Sequence, residues 1–255
     1  DKKYATGLVA TAGTLGILVP PSVPLILYGS IAEISVKSLF TAALLPSLLL
    51  SGALILFSIA VAIKRGYGGL EKASWETRKE ASKKAVWGLL FPVIILGSIY
   101  GGYATPTEAS FIAVLYAFTI SKYVYKEITW KDLKNIVSES VNTTAMIFLI
   151  VAAASILSVY LSLEQIPQQF ANWISANFDS SLVFLLLVSI MLFILGMFLD
   201  ATAMLMITLP IFLPILAALD INLFFFAIIM VVNLEIGMIT PPLGMNLFVV
   251  TGVSN

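Results

Sequence analysis

The sequence contains no cysteine and no histidine. Without cysteine, disulfides and thiolate metal sites are excluded. Without histidine, the usual general base, zinc ligand and near-neutral proton relay are missing. Charge is scarce as well: 11% of the 255 residues are charged, against roughly 25% in ordinary soluble domains. With 60% hydrophobic residues and a mean hydropathy of +1.02, the chain reads as an integral protein whose main partner is membrane lipid. Neither a nucleic-acid binder nor a soluble enzyme fits this composition. The net charge of zero says nothing about partners, but its distribution does. None of the 14 basic residues follows Lys134, and no Arg lies inside an apolar run.

A membrane span needs about 20 apolar residues. Residues 5–32 form one such run, and 38–63 another, with Pro46 near its start. Seven of the 14 basic residues fall between 64 and 84. That stretch is expected to be a solvated amphipathic helix in a cytoplasmic loop, by the positive-inside rule. Residues 85–101 and 107–121 read as a hairpin, returning to a second basic segment at Lys122, Lys126, Lys131 and Lys134. Another span covers 141–162. Leu163, Ile166, Phe170, Trp173, Ile174 and Phe178 then recur at helical spacing, which predicts an amphipathic helix in the interface. The runs 181–199 and 201–219 meet at Gly196-Met197-Phe198-Leu199-Asp200-Ala201-Thr202. So short and apolar a turn predicts a re-entrant hairpin, its second arm shortened by Pro210 and Pro214. Residues 223–253 form the last span. The start, Asp1-Lys2-Lys3, is no signal peptide, and the chain is expected to be a fragment of a longer protein.

The first and last spans share a motif. Gly16 is followed after three residues by Pro20-Pro21, and Gly237 after three residues by Pro241-Pro242. A double proline removes two backbone donors and clashes with the preceding turn, so each helix must break. In lipid, broken backbone survives only where protein or a water-filled cavity satisfies it. Tracing the basic loops, the first broken helix runs from inside to outside and the last from outside to inside. The fold class expected is therefore an all-α polytopic membrane protein with inverted repeats, a re-entrant hairpin and discontinuous Pro-Pro helices. Residues 1–32 would belong to the transport part, its own hairpin lying upstream. Residues 33–180 would be scaffold spans and linker helices, and 181–255 the second hairpin and broken helix.

At a break, unpaired carbonyls can bind a hard cation and half-helix N-termini can hold an anion. Near the second break Gly237 and Gly244 allow close backbone approach and Thr240 adds a hydroxyl; at the first, Gly13, Gly16 and Ser22 take those parts. Two roles are open for Asp200, capping the following helix or acting at membrane depth. Glu235 orients the second break or joins an ion path, or makes a structural hydrogen bond. Glu108, behind Thr105-Pro106, reads first as helix-start chemistry. Asn233 and Asn246 are placed to bond freed carbonyls, and Met204, Met206 and Phe224-Phe225-Phe226 to pack or face lipid.

The stretches GTLGILVPPSVPLILYG (13–29), GGYATPTEAS (101–110), GMFLDATA (196–203) and NLEIGMITPPLGMNLF (233–248) together resemble the large membrane subunit of TRAP (tripartite ATP-independent periplasmic) transporters. The resemblance covers roughly the C-terminal 60% of such a subunit. It implies an elevator-type, Na⁺-driven symporter of organic acids such as sialic acid or C4-dicarboxylates, in the bacterial inner membrane. Its partners would be a small (Q-type) membrane subunit, separate or fused, and a periplasmic substrate-binding protein. No organic cofactor is implied. Carried onto this chain, one Na⁺ site would use Gly196, Gly237, Thr240 and Leu243, largely through carbonyls. The other, partial here, would use Gly16, Val19 and Ser22. Val19 stands where the second copy has Thr240, so the first site lacks that hydroxyl. Asp200, Thr202, Pro21 and Pro242 are the candidate substrate contacts. Two other functions compete with this reading: a Na⁺/dicarboxylate or citrate symporter without a binding protein, and an intramembrane aspartyl protease. The protease needs two facing carboxylates, and Asp200 is the single convincing one. A channel is disfavoured because no ring of like charges or filter-like sequence appears.

Overall fold

The computed structural model describes residues 2–67, 72–177 and 181–254, and every regular element among them is helical. In chain order these are α1 (Lys2–Thr14), a 3₁₀ turn (Leu15–Ile17), α2 (Val23–Ile31) and α3 (Val36–Arg65). Then follow α4 (Trp75–Tyr100), α5 (Pro106–Thr119), a π-turn (Ile120–Val124) and α6 (Trp130–Leu163). The last are α7 (Ile166–Asn177), α8 (Ser181–Gly196), α9 (Ala201–Ala218), α10 (Leu223–Met238) and α11 (Met245–Ser254). Of these, α3, α4, α6 and α9 are long and apolar enough to cross a membrane. The protein is a multi-pass membrane protein.

The chain forms two compact units, Asp1–Leu54 with Thr144–Asn255, and Ile55–Thr143. In the second, α4 and α5 make the expected hairpin: Tyr116 donates to the Trp87 carbonyl at 2.7 Å and Tyr125 to that of Lys84 at 2.9 Å. The turn is set by a capping box. Thr105 Oγ1 accepts from Glu108 N at 3.3 Å, and Glu108 Oε2 accepts from Thr105 N at 2.7 Å. Glu108 is thus a helix-start residue. The basic stretch before the hairpin differs from expectation. From Trp75 onward it is the first turns of α4, continuous with the apolar part. Helix propagation adds one bond per residue, and nothing between Lys84 and Val86 interrupts it.

In the first unit α8 packs along α10, α2 along α9, and α7 along α9. The core between them holds Tyr28, Phe184, Leu192, Met204, Phe226 and Leu234, each fully buried. A run of edge-on rings joins the layers: Phe170 to Phe184 at 6.4 Å, Phe184 to Phe212 at 6.4 Å, and Phe212 to Phe226 at 5.6 Å. Edge-to-face pairs at such distances are worth roughly 0.5–1.5 kcal/mol each beyond burial. The amphipathic α7 forms as expected: it turns Ile174 (1% exposed) onto α9, while Ile166, Phe170 and Trp173 of the same stripe stay exposed. One expectation changes: Pro210 and Pro214 lie inside a continuous α9 of 18 residues, so they do not shorten it. Neighbouring helices let membrane helices tolerate proline.

Both α2, which follows the first break, and α10 begin on a side-chain cap. Ser22 accepts from Leu25 N at 3.4 Å, and Asn222 from Phe224 N at 2.9 Å. Tyr28, wholly buried in α2, donates its hydroxyl to the Leu223 carbonyl at the head of α10, 2.8 Å away. Tyr28→Phe removes that bond and nothing else. A loss of about 1 kcal/mol is expected, seen as a fall in melting temperature of about 2–4 °C for the detergent-solubilised protein. An unchanged melting temperature would show that the bond contributes nothing.

Candidate functional site

Both double prolines sit where helix stops. At the first, α1 tightens into the 3₁₀ turn Leu15–Ile17, then leaves helical geometry until Ser22 caps α2. At the second, α10 ends at Met238 and α11 begins at Met245. The Pro20-Pro21 and Pro241-Pro242 peptide bonds are both cis. The groups that each break frees are then accounted for locally.

At the first break Val19 N bonds the Leu15 carbonyl at 2.9 Å, and the Ser22 hydroxyl donates to the Ile17 carbonyl. The Leu18 carbonyl is met by Ser47 Oγ of α3 at 3.2 Å, with Ser47 itself 4% exposed. Sequence reasoning missed Ser47; its one signal was a hydroxyl beside Pro46 in an otherwise leucine-rich run. Gly16, Val19 and Pro21 are exposed, while Ser22 is fully buried.

The second break is clamped to the turn between α8 and α9. A Cβ built on Gly237 would lie 2.7 Å from Gly196 Cα, and one on Gly196 would lie 3.2 Å from Gly237 Cα. The two backbones therefore cross with no side chain between them. Gly244, at φ +52°, donates its N–H to the Met197 carbonyl at 3.2 Å and closes the loop on the same turn. Such a φ is available to glycine at little cost. Thr240 N bonds the Gly237 carbonyl at 3.0 Å, and Thr240 Oγ1 donates to the Ile236 carbonyl at 2.7 Å. A carbonyl has two lone pairs, and a hydroxyl that has donated its proton still accepts. Oxygen therefore remains available at Gly237 and Thr240. Leu243 lies in the loop with its side chain 54% exposed, leaving its backbone as the relevant group, and Pro242 is exposed beside it.

Asp200 takes the capping role: Oδ2 accepts from Thr202 N at 3.0 Å and from Ala203 N at 3.4 Å, starting α9. Asp200 and Thr202 are both half-buried on the turn that carries Gly196. Asn233 does not reach the break; its amide bonds the Ile229 carbonyl, one turn back in its own helix, at 2.8 Å. Asn246 faces α1, its Nδ2 lying 3.7 Å from where a Cβ on Gly13 would be. Met204, Met206 and Phe226 are fully buried packing residues, and Phe225 is 55% exposed. Among the described residues, no group of three acidic side chains could hold a metal. The donors gathered at the second break are neutral oxygens, which suit a hard cation.

The structure thus brings Gly196, Gly237, Thr240 and the Met197 carbonyl into one cluster. A helical, charge-poor chain with two broken spans, one held on a hairpin turn, has the build of a membrane transport protein. The family model for the tripartite ATP-independent periplasmic transporter, DctM component, matches residues 1–255, and the chain belongs to that family. It is 41% identical over 251 residues to the C4-dicarboxylate TRAP transporter large permease protein DctM of Pseudomonas aeruginosa, covering 98% of this chain and 59% of that protein. It is 39% identical over 259 residues to the sialic acid TRAP transporter large permease protein SiaM of Vibrio cholerae, covering 100% and 61%. It is also 37% identical over 255 residues to the isethionate TRAP transporter permease protein DctMQ of Oleidesulfovibrio alaskensis, covering 100% and 40%. The chain therefore spans about three-fifths or less of the length of these relatives.

The clamp makes a sharp prediction. Gly237→Ala must push α8 and α10 apart and is expected to cost about 1–3 kcal/mol, whereas Gly13→Ala, with its nearest contact at 3.7 Å, is tolerated. Equal thermal shifts in the two variants would contradict the clamp. At the cap, Asp200→Ala is expected to lose about 1 kcal/mol and Asp200→Asn much less, read from the same unfolding measurement.

Proposed function

We propose that the full protein containing this chain is a secondary active symporter that couples Na⁺ entry to uptake of an organic acid across the bacterial inner membrane. The observation that carries this reading is the crossing of Gly196 and Gly237 with the Gly244–Met197 bond, which gathers neutral oxygens at a broken helix. The cation would sit among the Gly196, Gly237 and Leu243 carbonyls and the Thr240 hydroxyl. The partial first site would use Gly16, Val19 and Ser22, completed by a hairpin upstream. No organic cofactor is needed for this coupling.

The organic acid would bind between the two breaks, where the backbone N–H groups starting α2 and α11 offer positive dipole ends to a carboxylate. Asp200, Thr202, Pro21 and Pro242 would border it. Relatives named for C4-dicarboxylate, sialic acid and isethionate support a small organic anion as cargo. Residues 1–32 and 181–255 would travel together as the transport part, α8 and α9 forming a re-entrant hairpin and 33–180 serving as scaffold, in an elevator motion. Opposite membrane orientation of the two breaks would make them inverted repeats. A periplasmic binding protein would deliver the cargo, and a small membrane subunit, separate or fused, would complete the complex; a relative named DctMQ supports fusion as one form.

The full transporter in liposomes tests this. Sodium-gradient uptake of labelled succinate, sialic acid and isethionate is measured with and without the cognate binding protein. Uptake without the binding protein would favour the simpler dicarboxylate symporter instead. Thr240→Val removes one ligand oxygen and is expected to raise the half-activating Na⁺ concentration about ten-fold, taking a charge-assisted contact as roughly 1.4 kcal/mol. Unchanged Na⁺ activation in a folded Thr240→Val protein would remove Thr240 from the site.

A further inference from the structure

Thr14 and Glu235 stand at equivalent positions of the two motifs, each two residues before its first glycine, Gly16 or Gly237. They also touch. Thr14 Oγ1 donates to Glu235 Oε1 at 3.4 Å across a sequence separation of 221, which is the offset between the motifs themselves. Both side chains are buried, at 1% and 6% exposure. When two copies of a motif are related by a two-fold axis, a position meets its own counterpart only where the axis passes. The neighbouring packing agrees: α1 lies against α11 and α10 against α2, which are the two contacts such an axis exchanges.

The geometry points to the Thr14–Glu235 contact as the pivot of the repeat axis and as a positioning pair that links the two breaks, so that a cation ordering one break favours binding at the other. This rests on the sodium-binding reading above. Thr14 is the last residue of α1, and Glu235 lies in the last turn of α10. Each is therefore carried on the half-helix that leads directly into its break. Thr14 Oγ1 has one proton and shares it with the Thr11 carbonyl at 2.8 Å, so a small turn at the end of α1 decides how well Glu235 is met. The second oxygen, Glu235 Oε2, is buried with no hydrogen-bond partner among the described residues. A buried, half-satisfied carboxylate is costly. Its remaining hold on the protein is the contact across the axis, so any shift of one break is felt by the other through this side chain. A pair with those properties meets the physical requirement for coupling between sites: one element whose arrangement both sites bias.

The experiment is ²²Na⁺ binding to the detergent-solubilised full-length transporter, with Na⁺ the sole ligand. The parent is expected to bind with a Hill coefficient clearly above 1. Thr14→Val, which is isosteric and lacks the donor, is expected to fall to about 1 and to weaken binding about five-fold or more, the scale of typical coupling between sites. Thr14→Ser, which keeps the donor, is expected to restore the parent curve. If Thr14→Val does not fold, Glu235→Met removes the acceptor from the other side and is expected to give the same loss. A parent-like Hill coefficient in either folded variant overturns the coupling. A parent that binds sodium with a coefficient of 1 also overturns it while leaving the ion reading intact. A parent that binds no sodium ends the ion reading, and the coupling with it.

Discussion

Inside a lipid bilayer there is no water to satisfy a free peptide group, and the structure depends on that constraint. Two Pro-Pro pairs interrupt two helices, and the carbonyls that each interruption exposes are met from within the protein. The first break is met by Ser22 on its own side and by Ser47 from α3. The second is met by the turn that joins α8 to α9, through Gly244 and the Met197 carbonyl. The satisfaction of broken backbone acts beside the apolar core in bringing these distant segments together. Apolar packing between helices gains little where the surrounding lipid is equally apolar.

The chemistry assembled this way is almost free of charge. The second break offers neutral oxygens from carbonyls and one threonine, and the nearest carboxylate of the turn, Asp200, already accepts two backbone N–H groups. A cation bound by such a set is held by geometry, since no single ligand attracts it strongly. Such a set of ligands needs neither histidine nor cysteine, and the chain has neither.

What was legible in the sequence was local. The breaks could be read because proline acts on its own helix, and the caps of α5 and α9 because Thr105, Glu108 and Asp200 bond residues two or three positions away. The pairing of Gly196 with the second break was available through family resemblance, but the tightness of the crossing was not. Contacts between distant segments were hidden. The hydroxyl beside Pro46 did not announce that the Leu18 carbonyl would need it, and nothing local marks Thr14 as the partner of Glu235. The apolar stripe of α7 was visible in its spacing, yet which of its residues α9 would cover depends on tertiary packing. Pro210 and Pro214 were read as breakers because their local cost is real, and the surrounding helices absorb it in α9.

The bond from Tyr28 to the Leu223 carbonyl bears on biogenesis. Its two partners are 195 residues apart in the chain. At ribosomal rates of about 5–20 residues per second, the second partner emerges roughly 10–40 s after the first. For most of that interval α2 has neither the Leu223 carbonyl for its tyrosine nor α9, its packing neighbour. The early broken helix thus waits for its partners, while α8, α9 and α10 follow one another in the chain and pack together.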